Sequence, residues 1–287
     1  MFYRATHTTD YRYEQPVSHC LSEARLTPRT LPGQRPIETR LEIHPQPAVV
    51  ESRSDYFGNT VSMFSVFCHH DRLVATATSI VEIERAERPP FPSISWEETA
   101  QALAAHAGDE SIAAYEYVFD SPFVAAAPEL AEYARPTFAP GRPLAEAIQE
   151  LSHRIHEEFR YRPKSTSIEM PLREILRRRE GVCQDFAHVM IGALRSMRLA
   201  ARYVSGYLRS GTDVQGAEAS HAWVAVFLPG YGWLDLDPTN DAIPSDGHIT
   251  LAWGRDYGDV TPIKGIALGG GGQKVNAAVN VRPVEGA

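Results

Sequence analysis

Three residues have types and settings that chemistry can use: Cys183 in GVCQDFAHVMIGALRSM, and His221 and Asp237 in HAWVAVFLPGYGWLDLDPTN. Cys183 stands just after Gly181 and Val182, at the head of a stretch where Phe186, Val189, Met190, Ala193, Leu194 and Met197 recur at helical spacing. The first-turn N–H groups of a helix lack intrahelical partners and lie at the positive end of its dipole, which favours thiolate over thiol. Free cysteine is also among the most buried residue types, so the position alone fits core filler as well as a nucleophile.

A nucleophilic thiol needs a base, and the base needs an orienting group. Two apolar runs flank the turn LPGYG, and the pattern predicts a hairpin of 221–227 with 231–237. Centred on LPG, it pairs Phe227 with Tyr231, Ala225 with Trp233, Trp223 with Asp235, and His221 with Asp237. Directly opposed residues share a face with Cβ atoms about 4.5 to 5.5 Å apart, which suits an imidazole N–H donating to a carboxylate. A one-residue slip would place the two on opposite faces. Taken singly, His221 also reads as a strand-end histidine bonded to a carbonyl, and Asp237 as a turn residue before Pro238. Together, Cys183, His221 and Asp237 supply nucleophile, base and orienting group for acyl transfer through a thioester.

These residues need elements to position them. The 287-residue chain is 43% hydrophobic, enough for one large domain or two ordinary ones. Residues 1–85 show short alternating runs cut by LTPRTLPGQRP, DYFGN and CHHDR, with SMFSVF and LVATATSIVEIE as strands. They predict an N-terminal antiparallel β-sandwich-like module. Proline-rich residues 86–96 read as a linker, and residues 97–287 as a second, catalytic domain. There, Leu144, Ile148, Leu151, Ile155 and Phe159 fall on one helical stripe, and PLREILRRRE is a further short helix. The Cys183 helix turns Gln184, Asp185, His188, Arg195 and Arg198 to its polar side; ARYVSGYL and the hairpin follow as strands, and the tail reads as a glycine loop and one last strand.

Net charge −8 leaves no basic face for a phosphate backbone or an anionic bilayer, so neither nucleic acid nor membrane is expected as a partner. No apolar run approaches a membrane span, and the N-terminus lacks signal-peptide features, so a cytoplasmic location is expected. Cys20, Cys68 and Cys183 are widely spaced and odd in number, which fits reduced thiols. CHHD holds metal-ligand types without a second pair at recognised spacing, and the GGGG run opens no helix, so no metal or cofactor is expected.

On these motifs the chain resembles the transglutaminase-like superfamily, specifically small bacterial members with an extra N-terminal β module. GVCQDFAHVMIGALRSMRLAARYVSGYL resembles the family's cysteine motif and SHAWVAVFLPGYGWLDLDPTN its histidine and aspartate motif. HITLAWGRDYGDVTPIKGI, and SEARLTPR with DYFGN, resemble blocks of that subgroup, so the likeness spans most of the chain. It implies an α+β fold with a papain-like, transglutaminase-like core of helices on an antiparallel sheet. It assigns Cys183 as nucleophile, His221 as general base and acid, and Asp237 as the group orienting it. Where the family has a Gly-Ile-Pro turn after the cysteine helix, this chain has Arg198, Leu199 and Ala200, without the usual glycine stop.

The activity expected is that of a cysteine peptidase or amidase acting on peptide or protein amides. The alternatives are a protein-glutamine amine acyltransferase and an inactive binding module of the same fold. The Cys183 N–H is the natural first oxyanion donor, and Gln184, Tyr161 and Trp223 are candidates for the second. Asp185 is expected to cap its helix and His188 to be structural. Arg255, Asp256, Tyr257 and Asp259 either line the cleft or brace their loop.

Overall fold

The first strand, β1 (Phe2–Ala24), buries every second residue from Tyr3 to Thr9, as period-two alternation requires. In the computed structural model the described residues are 1–84, 88–163, 165–166, 170–210, 215–216 and 219–285, so Ala86 and Glu87 of the linker lie outside them. β2 (Gln34–His44), β3 (Val49–Ser54), β4 (Thr60–Val66) and β5 (His70–Ile83) complete the N-terminal run. The first half of β1 pairs with β5 and its end with β4, with β2 and β3 outermost. The pairing shifts between Arg12 and Val17, around Pro16, which has no N–H for a ladder. The sheet thereby curls over a core that includes Val17, Leu26, Phe64, Val66 and Leu73.

Helices dominate the next stretch: α1 (Trp96–Ala104), α2 (Asp109–Tyr115), α3 (Pro128–Ala134), α4 (Leu144–Glu158) and α5 (Leu172–Arg178). The α4 stripe foreseen from spacing is buried at Leu144, Ile148, Leu151 and Ile155. Two short strands, β6 (Arg160–Tyr161) and β7 (Glu180–Gly181), pair in parallel and lead into α6 (Cys183–Ser196). From Asp185 to Arg195 every α6 residue is buried, and the helix packs on β8 (Ala201–Leu208) and β9 (His221–Leu228). Each fully buried Phe, Val, Met or Leu there contributes roughly 1.5–3 kcal/mol of transfer free energy. Arg195, which helical spacing assigned to the polar side, is also buried and donates to Tyr117 O, Ser121 Oγ, Ala201 O and Arg255 O.

The helix ends without glycine. Arg198 takes φ 61° itself, and the Leu199 N–H donates to Leu194 O at 3.1 Å, as in a Schellman closure. β10 (Gly232–Leu236) and β11 (His248–Gly254) complete a four-stranded antiparallel sheet in the order β10-β9-β8-β11. Its helix-facing side carries Tyr203, Tyr207, Val224, Val226, Leu234 and Leu236 into the core.

After α7 (Tyr257–Val260) the chain departs from the expected division. β12 (Ile263–Gly269) and β13 (Gln273–Val284) both pair with β1, β12 along its second half and β13 along its first. The tail is therefore two strands, and both belong by pairing to the N-terminal sheet. Val279 and Val281 join Tyr3, Ala5, Val81 and Ile83 in the same core cluster as α4 and α6, so the two sheets share one interior.

Polar side chains of the N-terminal module also satisfy the open edge of β11. Gln34 Nε2 donates to Thr250 O and its Oε1 accepts from the Thr250 N–H, both at 2.8 Å. Asn59 Nδ2 donates to Trp253 O at 2.8 Å while its Oδ1 accepts from the Trp253 N–H at 3.0 Å. An edge strand left with unpaired groups is a template for stray pairing, and these two amides occupy it. No helix among the described residues is long and apolar enough to cross a membrane.

Candidate active site

Cys183 is the first residue of α6 and is 8% exposed. What holds it there explains the glycine before it. Asp185 turns back to accept from the Val182 N–H at 2.8 Å, and Thr166 Oγ1 donates to the same carboxylate oxygen at 2.6 Å. A Cβ on Gly181 would lie 2.5 Å from Asp185 Oδ2, closer than van der Waals contact permits, so only glycine leaves room for this cap. Asp185 thus takes the capping place expected of it. Burial raises its pKa, against the two hydrogen bonds that favour the carboxylate.

The hairpin that carries the other two residues differs from the expected register. Gly232 pairs with Leu228, Trp233 with Phe227, Asp235 with Ala225 and Leu236 with Val224. The cause lies in the turn: the Tyr231 N–H donates to Leu228 O at 3.1 Å, with Pro229 second and Gly230, at φ 76°, third. That is the residue order of a type II turn, and pairing resumes one residue later than a loop centred on LPG allows. Relative to β9, β10 is displaced by two residues. A shift of two preserves the face, so Asp237 meets His221 diagonally instead of squarely.

The diagonal serves the contact well. His221 Nε2 donates to Asp237 Oδ2 at 2.8 Å, with both side chains fully buried. Nδ1 of His221, buried and without a hydrogen-bond partner among the described residues, is the nitrogen left for Cys183, whose charge acts on the ring. Burial opposes the imidazolium, but the Asp237 carboxylate and then Cys183 outweigh it, and the His221 pKa is raised. For Asp237, burial favours the neutral acid, and His221 and His248 overcome it, so its pKa is lowered. Both shifts favour a carboxylate–imidazolium pair once His221 takes up a proton.

Sequence reasoning missed the rest of the Asp237 shell. Asn240 Nδ2 donates to Oδ2 at 2.9 Å and His248 Nε2 to the same oxygen at 3.2 Å. The Thr239 and Asn240 N–H groups donate to Oδ1 at 3.0 and 3.2 Å. Those two backbone bonds form an Asx-type turn readable in DPTN; His248 had no local signal, because β11 reaches Asp237 only through the sheet. Asn240 also ties a distant loop to the site: its Oδ1 accepts from the Gln215 N–H at 3.0 Å and its Nδ2 donates to Gln215 O at 3.3 Å. Next to Gln215, Gly216 has φ 86° and approaches His221 so closely that a Cβ would stand 2.6 Å from Nδ1.

Of the oxyanion candidates, Gln184 is the second residue of α6, Trp223 stacks beside the His221 ring with centroids 6.2 Å apart, and Tyr161 packs edge-on to Phe186. His188 is buried and accepts from the Tyr257 N–H at 3.1 Å. In GRDYGDV, Arg255 pairs with Asp259 at 2.9 Å, and Asp256 accepts from the Gly258 and Phe123 N–H groups. These contacts brace the loop. His70 Nδ1 bonds to Cys68 O at 2.8 Å, and Cys20, Cys68 and Cys183 are free thiols.

A thiol at a helix head, a buried imidazole and a carboxylate, set on a helix packed against an antiparallel sheet, define a papain-like arrangement. The comparisons agree with it. Residues 3–82 match the bacterial transglutaminase-like N-terminal region and residues 131–238 the transglutaminase-like superfamily. The chain belongs to the transglutaminase-like superfamily. It is 39% identical to an uncharacterized protein of Mycobacterium tuberculosis, over 99% of this chain and 93% of the relative, and 34% identical to one of Mycobacterium leprae, over 97% of each. A 97-residue stretch, 31% of this chain, is 32% identical to a protein-glutamine gamma-glutamyltransferase of Pseudomonas aeruginosa and covers 14% of that protein. In fold, the chain resembles the crystal structure of a candidate cysteine protease of Cytophaga hutchinsonii, with a TM-score of 0.78 at 19% identity over 100% of this chain and 92% of that one.

Proposed function

We propose that this protein is an enzyme that cleaves amide bonds, of peptides or of glutamine side chains, through an acyl-thioester on Cys183. The observation that carries the reading is the contact between His221 and Asp237, which leaves His221 Nδ1 for the thiol. His221 takes the Sγ proton as sulfur attacks the carbonyl carbon, and the C=O electron pair moves to oxygen. The α6 first-turn N–H groups support that oxyanion, worth about 3 kcal/mol per well-aimed donor. Collapse breaks the C–N bond; the leaving ammonia or amine takes the proton from His221, and the thioester remains. Water then gives its proton to His221 and attacks, releasing the acid and restoring the thiol.

Transfer to an amine is the second reading, favoured by the local identity to the glutamyltransferase. In it an amine replaces water in the last step. The test incubates purified protein with casein or a glutamine peptide and a fluorescent amine, following ammonia, free acid and incorporated label. Acid without label supports hydrolysis, and label without acid supports transfer. Neither product, with Cys183 alkylating no faster than a free cysteine, rejects both in favour of a binding module.

A further inference from the structure

The sheet face away from α6 carries a second polar constellation that the proposed reaction does not use. Arg202 lies directly across β8 and β9 from Ala225, which in turn pairs with Asp235 on β10. The Arg202 guanidinium is clamped between two indoles, its Cζ 4.2 Å from the centre of the Trp233 ring and 3.8 Å from that of Trp253. Arg29 also lies over Trp253, at 3.5 Å. Arg202 is only 9% exposed; the charge of nearby Asp235 favours its guanidinium against burial, but its buried Nε has no hydrogen-bond partner among the described residues. A buried donor without a hydrogen-bonding partner is costly, and such groups in native structures ordinarily have one.

Arg202, both indoles, Tyr231 and Val204 line a cleft of about 570 Å³, with Glu84 and Arg88 among its polar lining. That is the size of a small-molecule site. It is separate from the thiol. Arg202 is four residues along β8 from Gly206, which pairs with His221, a spacing of roughly 13 Å along a strand. The fully buried Trp223 fills the row between them.

We propose that this cleft is a binding site for a monocarboxylate with an apolar or aromatic body. The planar guanidinium fork matches a carboxylate in bidentate fashion, and the flanking indoles offer flat apolar walls to the rest of the ligand. Asp235 beside the cation and Glu84 in the lining disfavour a dianion such as phosphate. The carboxylate can belong to a free acid or to a peptide C-terminus.

Trp233 and Trp253, two of the four tryptophans, report occupancy by fluorescence. The probes are benzoate, acetyl-Ala-Ala-Phe with a free carboxylate, and the same peptide as its amide, titrated into the full chain. Saturable quenching by at least one acid is expected, with the peptide acid, where it binds, at least about tenfold tighter than its amide. Benzoate binding marks a free-acid site, and binding of the peptide acid alone marks a chain-terminus site. Arg202→Lys should weaken binding by about tenfold or more through loss of the fork, Arg202→Met should abolish it, and Cys183→Ala should leave it intact. The proposal is overturned if neither acid binds wild type, if acid and amide peptides bind alike, or if Cys183→Ala removes the signal. Wild-type affinity in either Arg202 variant that keeps the native circular dichroism spectrum also overturns it.

Discussion

His221 and Asp237 are diagonal neighbours on the β9–β10 hairpin, joined at 2.8 Å, and the same aspartate oxygen also receives Asn240 and His248. One carboxylate therefore orients the proposed base and ties two further segments to it. An asparagine in its place would keep the volume but let the amide NH₂ face the imidazole. The Asp237→Asn variant should lose about 10²–10⁴-fold in turnover, the range for disabled general acid–base catalysis, in the ammonia-release assay. Near-wild-type turnover would remove Asp237 from the mechanism.

The activated thiol can be tested without knowing the substrate. Cys183 should react with iodoacetamide near pH 6 faster than a free cysteine, and His221→Ala should slow it about tenfold or more. Mass spectrometry identifies the alkylated residue. Cys68 is exposed and Cys20 buried, so Cys20→Ala and Cys68→Ala should leave the fast phase unchanged.

The pair also sets a pH dependence of stability. His221 has a folded pKa raised above its unfolded value of about 6.5, so its contribution is complete below that pH and is lost as pH rises through the raised value. Asp237 has a lowered pKa, so its contribution is present above about pH 4 and is lost as pH falls toward the folded value. Urea midpoints of wild type and a His221→Gln, Asp237→Asn double variant should converge at both ends of the pH range. A constant gap would contradict the linkage.

Gly181→Ala should be poorly tolerated, because the new Cβ meets Asp185 Oδ2 at 2.5 Å. Asp185 must then release Val182 or Thr166, at a cost of about 1–3 kcal/mol, and the start of α6 moves. Urea denaturation checks the stability, and the iodoacetamide rate of Cys183 checks the geometry.

Gln34→Ala and Asn59→Ala should each cost about 1–3 kcal/mol in urea denaturation by leaving β11 backbone groups unsatisfied. Since His248 lies on β11, either change should also lower turnover. Stability loss with unchanged turnover would limit the module to a structural brace.

Features that depend on near neighbours were legible in the residue order alone. Helical spacing set Cys183 at the head of α6, and period-two alternation put His221 and Asp237 on one sheet face, where a register displaced by two residues could not separate them. The α4 stripe and the Asp185 cap were legible for the same reason: each depends on spacing along a single element. The diagonal contact emerged only on folding, since the three-residue loop sits one position further along the chain, between Leu228 and Gly232, than a turn centred on LPG. So did the return of β12 and β13 to β1, since pairing across more than two hundred residues leaves no periodic trace. His248 on Asp237, and Arg202 between Trp233 and Trp253, belong with them. Periodicity specifies which way a side chain faces; which strand lies beside it is settled by packing the whole chain.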